Sequence, residues 1–138
     1  MTTKASKRYL AIAAKLKAQA GVTKHRVRTT LAGYASHDGT ISAPKGRSRR
    51  ELYIVAHECA HLALNHFSKK KPRYLEEFEA ERWAHAALRR HGVPVSAFLT
   101  EMARQHVTLR IIEALRRRAK YIDPDAEAFA KGQGSAFL

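Results

Sequence analysis

Apolar and polar residues follow two different periods along this chain. The first stretch carries apolar side chains at helical spacing, which predicts a helix over residues 4–20 that Gly21 ends. Beyond this glycine the spacing shortens towards two, as in a strand, and Asp38-Gly39 is a hairpin signal. The pattern therefore predicts two or three short antiparallel strands that end near Pro44.

Helical spacing returns after the strands and persists almost to the end of the chain. A second helix is predicted over about residues 49–67, with Ser48 as its N-cap, and a third over about residues 74–91, ended by Gly92. Residues 95–121 have the pattern of one long helix or of two shorter ones. A short sheet followed by a mostly helical half is typical of a small α+β fold.

The segment 102–118 allows two interpretations. One is a helix-turn-helix with its turn at residues 106–108 and a basic second helix; the other is one continuous amphipathic helix. A helix-turn-helix usually has a tighter turn, often with glycine, so the continuous helix is favoured. The apolar residues expected to pack inward from it are Leu109, Ile111, Ile112 and Leu115.

Length and composition favour a single domain over residues 1–138. A chain of 138 residues that is 45% hydrophobic is long enough for one apolar core and too short for two. The segment 124–138, with its Gly-rich end, is expected to be a loosely held tail. No apolar run approaches the ~18 residues of a membrane span, so no membrane association is expected. With Cys59 as its one cysteine, the chain has no disulfide framework, and a reducing cytoplasm is the expected location.

Lysine and arginine are concentrated in the first third of the chain. The net charge is +14, and residues 1–50 hold 12 Lys/Arg against one acidic residue, Asp38. Such an asymmetry indicates a basic face that meets nucleic acid or an acidic protein. The alternative is a basic surface that is only solvated, and composition does not separate the two.

The string HECAH, from His57 to His61, is the strongest chemical signal. Positions i and i+4 share one face of a helix, so both imidazoles can reach a common point with Glu58 beside them. Zinc accepts imidazole nitrogen and carboxylate oxygen, and a catalytic site keeps one position for a water whose proton Glu58 can take. The alternative is a polar helix face satisfied by arginine and lysine. Burying two imidazoles and a carboxylate without a partner is costly, and a cation is the simplest partner.

A third ligand is expected from the stretch EEFEAERWA. A helix packed antiparallel after a short loop would bring one of its glutamates to the two histidines. Glu79 is the predicted ligand, because Phe78 and Trp83 on its helix are apolar and indicate the core side. Surface ion pairs are expected for the other glutamates, with Glu81 alternatively orienting a histidine from outside the ligand set; they are Glu76, Glu77 and Glu81.

The paired motifs HECAH and EAERWA resemble the H-E-x-x-H … E-A-x-x-F-A pattern of the ImmA/IrrE family of zinc peptidases. Trp83 stands where that family usually has phenylalanine, and the resemblance covers roughly residues 34–109. It implies a zincin-like domain in which His57, His61 and Glu79 hold Zn²⁺ and Glu58 is the general base and acid. It also implies hydrolysis of peptide bonds in a protein substrate, with DNA-bound repressors as one substrate class. An edge strand within residues 34–44 would receive the extended substrate.

Several other polar residues are candidates for a role in the site or in packing. A peptidase of this kind needs a donor near the reacting carbonyl, and four candidates are not distinguished: Tyr74, His85, His91 and His106. His66 lies about 140° from the two histidines at about 100° per residue, which predicts a structural role. Cys59 lies on the apolar stripe and is predicted to be inert packing. The competing functions are a non-catalytic DNA- or repressor-binding protein with a structural zinc site, and a metal-free interaction protein.

Overall fold

A computed structural model describes residues 3–68 and 70–133 of the chain. Within them the fold is α+β, as predicted, with five helices and one small mixed sheet. The elements in chain order are α1 (Lys4–Ala20), β1 (Lys24–Val27), β2 (Tyr34–Ala35), β3 (Thr40–Ala43), α2 (Arg49–Ala63), α3 (Arg73–Arg90), α4 (Ala97–Arg116) and α5 (Pro124–Ala130). None of the helices in these residues has the length and apolar character needed to cross a membrane.

The sheet has β3 at its centre, with the order β1-β3-β2. β2 and β3 form the predicted antiparallel hairpin, whose turn is closed by Asp38 accepting the Thr40 N–H at 2.9 Å while Gly39 has a φ of 91°. β1 instead pairs parallel with β3, so the prediction of antiparallel strands is wrong for this pair. β3 pairs with β1 on one side and with β2 on the other, and it carries the buried residues Ile41 and Ala43.

Two hydrophobic clusters hold these elements together. The larger lies between α1, the inner face of the sheet, α2 and α3; its large buried side chains include Leu16, Ile41, Leu52, Val55 and Leu88. The smaller lies between α3, α4 and α5 and includes Tyr74, Phe78, Val107 and Phe129. Each such side chain contributes about 1.5–3 kcal/mol by leaving water. Because α3 contributes to both clusters, its rotation about its own axis is fixed from two sides.

The start of α2 has the capping expected from the sequence. Ser48 accepts the Glu51 N–H at 3.1 Å, and the Glu51 carboxylate accepts the N–H groups of Gly46 and Arg47. Gly46 has a φ of 101°, a left-handed conformation that favours glycine. The cap fixes where α2 begins, and therefore which of its faces carries the histidines.

The C-terminal segment contains a short packed helix that its composition did not indicate. Asp123 caps α5 by accepting two backbone N–H bonds of 3.1 Å, and Ala126 and Phe129 are buried against α3 and α4. Residues 124–130 therefore differ from the expected loosely held tail. The last part of that predicted tail, residues 134–138, lies outside the described residues.

α4 is continuous through residues 106–108, which confirms the single helix favoured over a helix-turn-helix. Its inward residues are spaced four apart: Leu99 packs in the larger cluster, and Ala103, Val107 and Ile111 pack in the smaller one with α3 and α5. The prediction that Leu109, Ile112 and Leu115 pack inward is wrong, because all three are exposed: Leu109 and Ile112 lie on the opposite side of the helix, and Leu115 lies in its last turn.

Candidate active site and metal centre

The candidate site lies where α2 and α3 pack antiparallel. His57 and His61 project from neighbouring turns of α2 towards α3, as their spacing predicted. α3 presents two carboxylates that are also four residues apart: Glu77 lies against both histidines, and Glu81 lies against His57. Matched i, i+4 pairs on two antiparallel helices bring all four side chains into one layer.

Three atoms converge between these helices at distances that suit a metal ion. The Nε2 atoms of His57 and His61 are 3.2 Å apart, and Glu77 Oε2 lies 3.0 Å from the first and 3.3 Å from the second. Ligand atoms bonded to tetrahedral zinc at about 2.0–2.1 Å lie ~3.3 Å from one another. Glu77 Oε2 is buried and accepts no well-aligned hydrogen bond within the described residues. The three atoms therefore fit a bound cation.

The neighbours of His57 fix which of its nitrogens carries the proton when the ring is neutral. His57 Nδ1 lies 2.7 Å from Glu81 Oε1, and a carboxylate only accepts, so Nδ1 is the donor. The Tyr53 hydroxyl donates to the same oxygen at 3.0 Å and holds that carboxylate in place. A neutral His57 is then left with its lone pair on Nε2, facing Glu77. Glu81 thus has the orienting role that the sequence offered as its alternative.

A turn at the end of α2 brings His66 back to His61. Asn65 adopts the left-handed conformation, with a φ of 52°, which asparagine tolerates better than most residues. The His66 N–H donates to the His61 carbonyl at 3.0 Å, and the Asn65 N–H donates to the Leu62 carbonyl at 3.2 Å. These paired bonds form a Schellman motif, which ends α2 at Ala63, before the predicted residue 67.

The His66 side chain determines which nitrogen of His61 donates a hydrogen bond. His66 Nε2 is 3.0 Å from Glu79 Oε1 and is the donor, which leaves its Nδ1 as the acceptor, 2.9 Å from His61 Nδ1. Burial lowers the pKa of His66 and outweighs the hydrogen bond to Glu79, so the ring stays neutral. His61 therefore donates from Nδ1 and keeps its lone pair on Nε2. His66 lies outside the group that could hold a metal ion, and its hydrogen bond orients His61, which belongs to that group.

Glu79, the predicted third ligand, does not reach the two histidine Nε2 atoms. Its oxygens accept from Lys71 Nζ at 3.0 and 2.9 Å and from His66. Residues two apart lie about 200° apart around a helix, so Glu77 and Glu79 cannot both face the histidine pair. Glu77 faces it, so the group that could hold a metal ion is His57, His61 and Glu77, with Glu77 in place of the expected Glu79.

Histidines are the basic partners that the described residues offer to the carboxylates of the site. Across residues 3–68 and 70–133, no ion pair joins Glu58, Glu77 or Glu81 to lysine or arginine. Burial acts to lower the pKa of His57, but Glu81 and Glu77 outweigh it and raise that pKa well above its usual value. The site thus favours positive charge between its carboxylates, as a proton or as a metal ion. This arrangement does not support the alternative of a polar stripe neutralised by arginine and lysine.

A cleft of about 280 Å³ opens beside the histidines. Glu58 lies at its base, where burial raises the pKa of the carboxyl although His57 and His61 oppose the shift. A carboxylate of raised pKa both takes and returns a proton more readily near neutral pH. The apolar lining of the cleft consists of Leu31, Gly33, Ile54, Leu99, Met102 and Ala103.

Gly33 allows the chain to pass directly over Glu58. A Cβ at this position would overlap the Glu58 carboxylate, lying 2.9 Å from its Cδ. Only glycine therefore fits here without moving the carboxylate. Gly33 immediately precedes β2, so this close approach ties the edge of the sheet to the cleft.

Of the four predicted donors, His106 is the one at the cleft. It projects from α4 into the lining, its ring centroid is 5.9 Å from that of His57, and its Nδ1 is 3.7 Å from Glu81 Oε2. The cleft lining does not include the other three candidates, Tyr74, His85 and His91.

The apolar pattern alone favours Glu79 over Glu77 as the third member of the histidine group, and it does not identify Gly33. The buried stripe of α3 runs through Tyr74 and Phe78 to His85, and this spacing places Glu77 and Glu81, not Glu79, on the side that faces α2. Asparagine just beyond the end of a helix favours the turn that brings His66 back to His61. Nothing in the local sequence marks Gly33, because its requirement arises from a distant residue.

Comparison of the chain with protein-family models, with curated proteins and with solved structures found no match, and the resemblance to the ImmA/IrrE family stays a prediction from its two motifs.

Proposed function

We propose that this protein is a zinc-dependent metallopeptidase of zincin-like type that hydrolyses peptide bonds in a protein substrate. One observation carries the proposal: His57 Nε2, His61 Nε2 and Glu77 Oε2 meet within 3.3 Å of one another beside a buried Glu58 at the base of a cleft. Two imidazole nitrogens and one carboxylate oxygen are a ligand set found in catalytic zinc sites. When bound there, zinc supplies a Lewis acid and lowers the pKa of a coordinated water.

Glu58 moves the proton in the proposed reaction. Its carboxylate takes a proton from the water as the water oxygen forms a bond to the peptide carbonyl carbon. It then returns that proton to the amide nitrogen as the carbon–nitrogen bond breaks, so the products are a carboxylate and an amine. Burial and the raised pKa of Glu58 suit both steps.

His106 is the proposed donor to the carbonyl oxygen, where negative charge develops during attack. It lines the same cleft as Glu58 and reaches it from the opposite wall, on α4. Its Nδ1 lies 3.7 Å from Oε2 of Glu81, the carboxylate that also accepts from His57, so the two histidines share one neighbour. A preorganised donor aimed at the developing charge stabilises it more strongly than water does.

The edge of the sheet offers a place for the substrate backbone. β2 is an edge strand with β3 on one side only, and Gly33 carries the chain from this strand over Glu58. An extended peptide added to the free side of β2 would pass along the cleft with its backbone hydrogen-bonded. The predicted strand addition is therefore proposed for β2.

Peptide cleavage by the zinc-loaded chain tests the proposed function. We expect a defined mixture of synthetic peptides to yield new N-termini, detected by mass spectrometry, with a preference for apolar residues next to the cleaved bond because the cleft lining is apolar. A zinc chelator should stop cleavage, and one equivalent of zinc should restore it. Chain purified in the same way with Glu58→Gln controls for contaminating peptidases. Absence of cleavage by fully zinc-loaded chain would contradict the proposal.

A second candidate function is binding of nucleic acid, carried by the outer face of the sheet. Ile41 and Ala43 point inward, so the strand register places Lys24, Arg26 and Tyr34 on the opposite, solvent-facing side. Tyr34 is 62% exposed, and basic side chains beside an exposed aromatic ring suit a phosphate backbone with stacked bases. Such binding would place the protein beside a DNA-bound repressor, the substrate class that the resemblance implies.

Salt-dependent binding tests this second candidate. We expect the double variant Lys24→Ala/Arg26→Ala to weaken binding to a short single-stranded DNA and to reduce the slope of log affinity against log salt by about 1.4, because two phosphates of a single strand would no longer be neutralised. The control Arg117→Ala/Arg118→Ala removes two positive charges away from the sheet. It should reduce the slope less than Lys24→Ala/Arg26→Ala does. An equal reduction in both variants would mean diffuse electrostatic attraction only.

A further inference from the structure

The outward face of α4 carries five exposed apolar side chains, two near its start and three near its end. Its exposed large side chains, with the exposed fraction of each, are Phe98 (58%), Met102 (41%), Leu109 (60%), Ile112 (38%) and Leu115 (53%). Scattered exposed apolar residues are ordinary, but five of them along one helix form a stripe, interrupted by Gln105, that marks an interaction surface. The packed side of α4 is already covered by α3 and α5, so this stripe is a separate surface.

The spacing of the stripe is that of a helix-pairing seam. Four residues of the stripe, with the polar Gln105 at the middle position, follow one another at intervals of four, three, four and three residues: Phe98, Met102, Gln105, Leu109 and Ile112. Leu115 lies beside this line. This is the heptad spacing with which one α-helix packs along another. The five positions span about 21 Å along α4, or about four turns. The occupant that fits such a seam is a helix rather than an extended chain.

The stripe begins at the mouth of the cleft. Met102 belongs both to the stripe and to the cleft lining. The Arg50 guanidinium lies 5.3 Å from the centre of the Phe98 ring, and Arg50 Nη2 lies 3.8 Å from Met102 Sδ. A helix on the stripe would therefore have one end beside this arginine and the cleft.

Charge around the stripe disfavours a second copy of this chain. Arg50 lies at one end and the run Arg116, Arg117 and Arg118 at the other. An antiparallel copy would bring Arg50 against that run, and a parallel copy would bring the run against itself. The acidic residues of α4 do not relieve this, because Glu101 pairs with Arg104 and Glu113 with Arg110. Two chains of net charge +14 also repel each other at longer range.

We propose that the outer face of α4 binds an amphipathic helix of an acidic partner protein. The apolar side of that helix would cover the stripe, and its carboxylates would meet the arginines at the two ends. The proposal does not require peptidase activity. Where that activity holds, the position of the stripe suits a docking helix of the protein substrate, since its bound end lies at the cleft.

Binding of designed peptides tests this proposal. The probe is a fluorescent peptide of three heptads with leucine at the two seam positions and glutamate and alanine elsewhere. One control has the same residues scrambled, and another has lysine in place of glutamate. Fluorescence anisotropy at about 0.1 M salt should show the acidic helix binding at least about tenfold more tightly than either control.

Variants of the stripe locate the binding. Leu109→Ser and Ile112→Ser should each weaken binding of the acidic peptide several-fold, and together by more than about tenfold, because each removes apolar area from the seam. Tyr121→Ser removes an exposed aromatic side chain outside α4 and should leave binding unchanged. Since all three side chains are exposed, circular dichroism should show the wild-type fold in every variant.

Three outcomes would overturn the proposal. One is equal binding of the acidic, basic and scrambled peptides, and another is binding that the stripe variants do not change. The third is self-association of the wild-type chain in sedimentation that Leu109→Ser abolishes, which would make a second copy the occupant of the stripe.

Discussion

Replacing Glu58 by glutamine is expected to lower kcat for peptide hydrolysis by about 10²–10⁴-fold while about one zinc ion stays bound to each chain. The amide has nearly the same size as the carboxylate, so the close fit against Gly33 is kept. It cannot take a proton from water, however, and the step that makes the water nucleophilic is lost. Because Glu58 is not among the three converging ligand groups, metal binding should change little.

Two readouts on the same sample separate this result from its alternatives. Zinc content is measured by elemental analysis and cleavage by the release of new N-termini from a peptide. Loss of cleavage together with loss of zinc would indicate a folding or ligand defect. Cleavage at the wild-type rate would rule out Glu58 as the general base. A chain that binds zinc and cleaves nothing in either form would support the alternative of a structural zinc site.

The local part of the site could be predicted from sequence. His57, Glu58 and His61 are related by the geometry of a single helix, which fixes their relative positions once the helix forms. The same holds for the caps at Ser48 and Gly21, which depend on residues within one turn of the helix end. No contact with a distant residue is needed for any of these inferences.

The rotation of α3 could not be predicted as readily. Trp83 is apolar and so indicates the core side, but it is only partly buried, since the long ring lies across the edge of the larger cluster. Glu81 and His85 are buried instead, because hydrogen bonds with Tyr53 and His57 compensate for their loss of water. A pattern that uses apolar residues alone does not detect a buried polar stripe, and for that reason it favours Glu79 over Glu77.

The features of the fold and the site that could not be predicted depend on contacts between distant segments. The approach of Gly33 to Glu58 joins the sheet to α2, and the parallel pairing of β1 with β3 depends on how both pack against the helices. His66 combines both cases: the turn at Asn65 is local, but its partner Glu79 comes from another helix. Such features follow from the tertiary fold and leave only weak signals in the sequence.

Removal of Glu77 is expected to have the largest effect on metal binding. Glu77→Ala takes away one of three ligand groups and leaves two histidines, so zinc affinity should fall by more than the ~10–100-fold that loss of an outer carboxylate costs. Glu79→Ala is the matched control on the same helix. It releases Lys71 and frees His66 to rotate, so its effect should stay within that smaller range.

Competitive zinc titration of wild type, Glu77→Ala and Glu79→Ala is the measurement that tests the central claim most directly. The predicted result is one tightly bound zinc per wild-type chain, a modest loss of affinity in Glu79→Ala and a much larger loss in Glu77→Ala. Retention of wild-type affinity in Glu77→Ala would contradict the ligand set, and an absence of zinc binding by folded wild-type chain would contradict the metal centre itself.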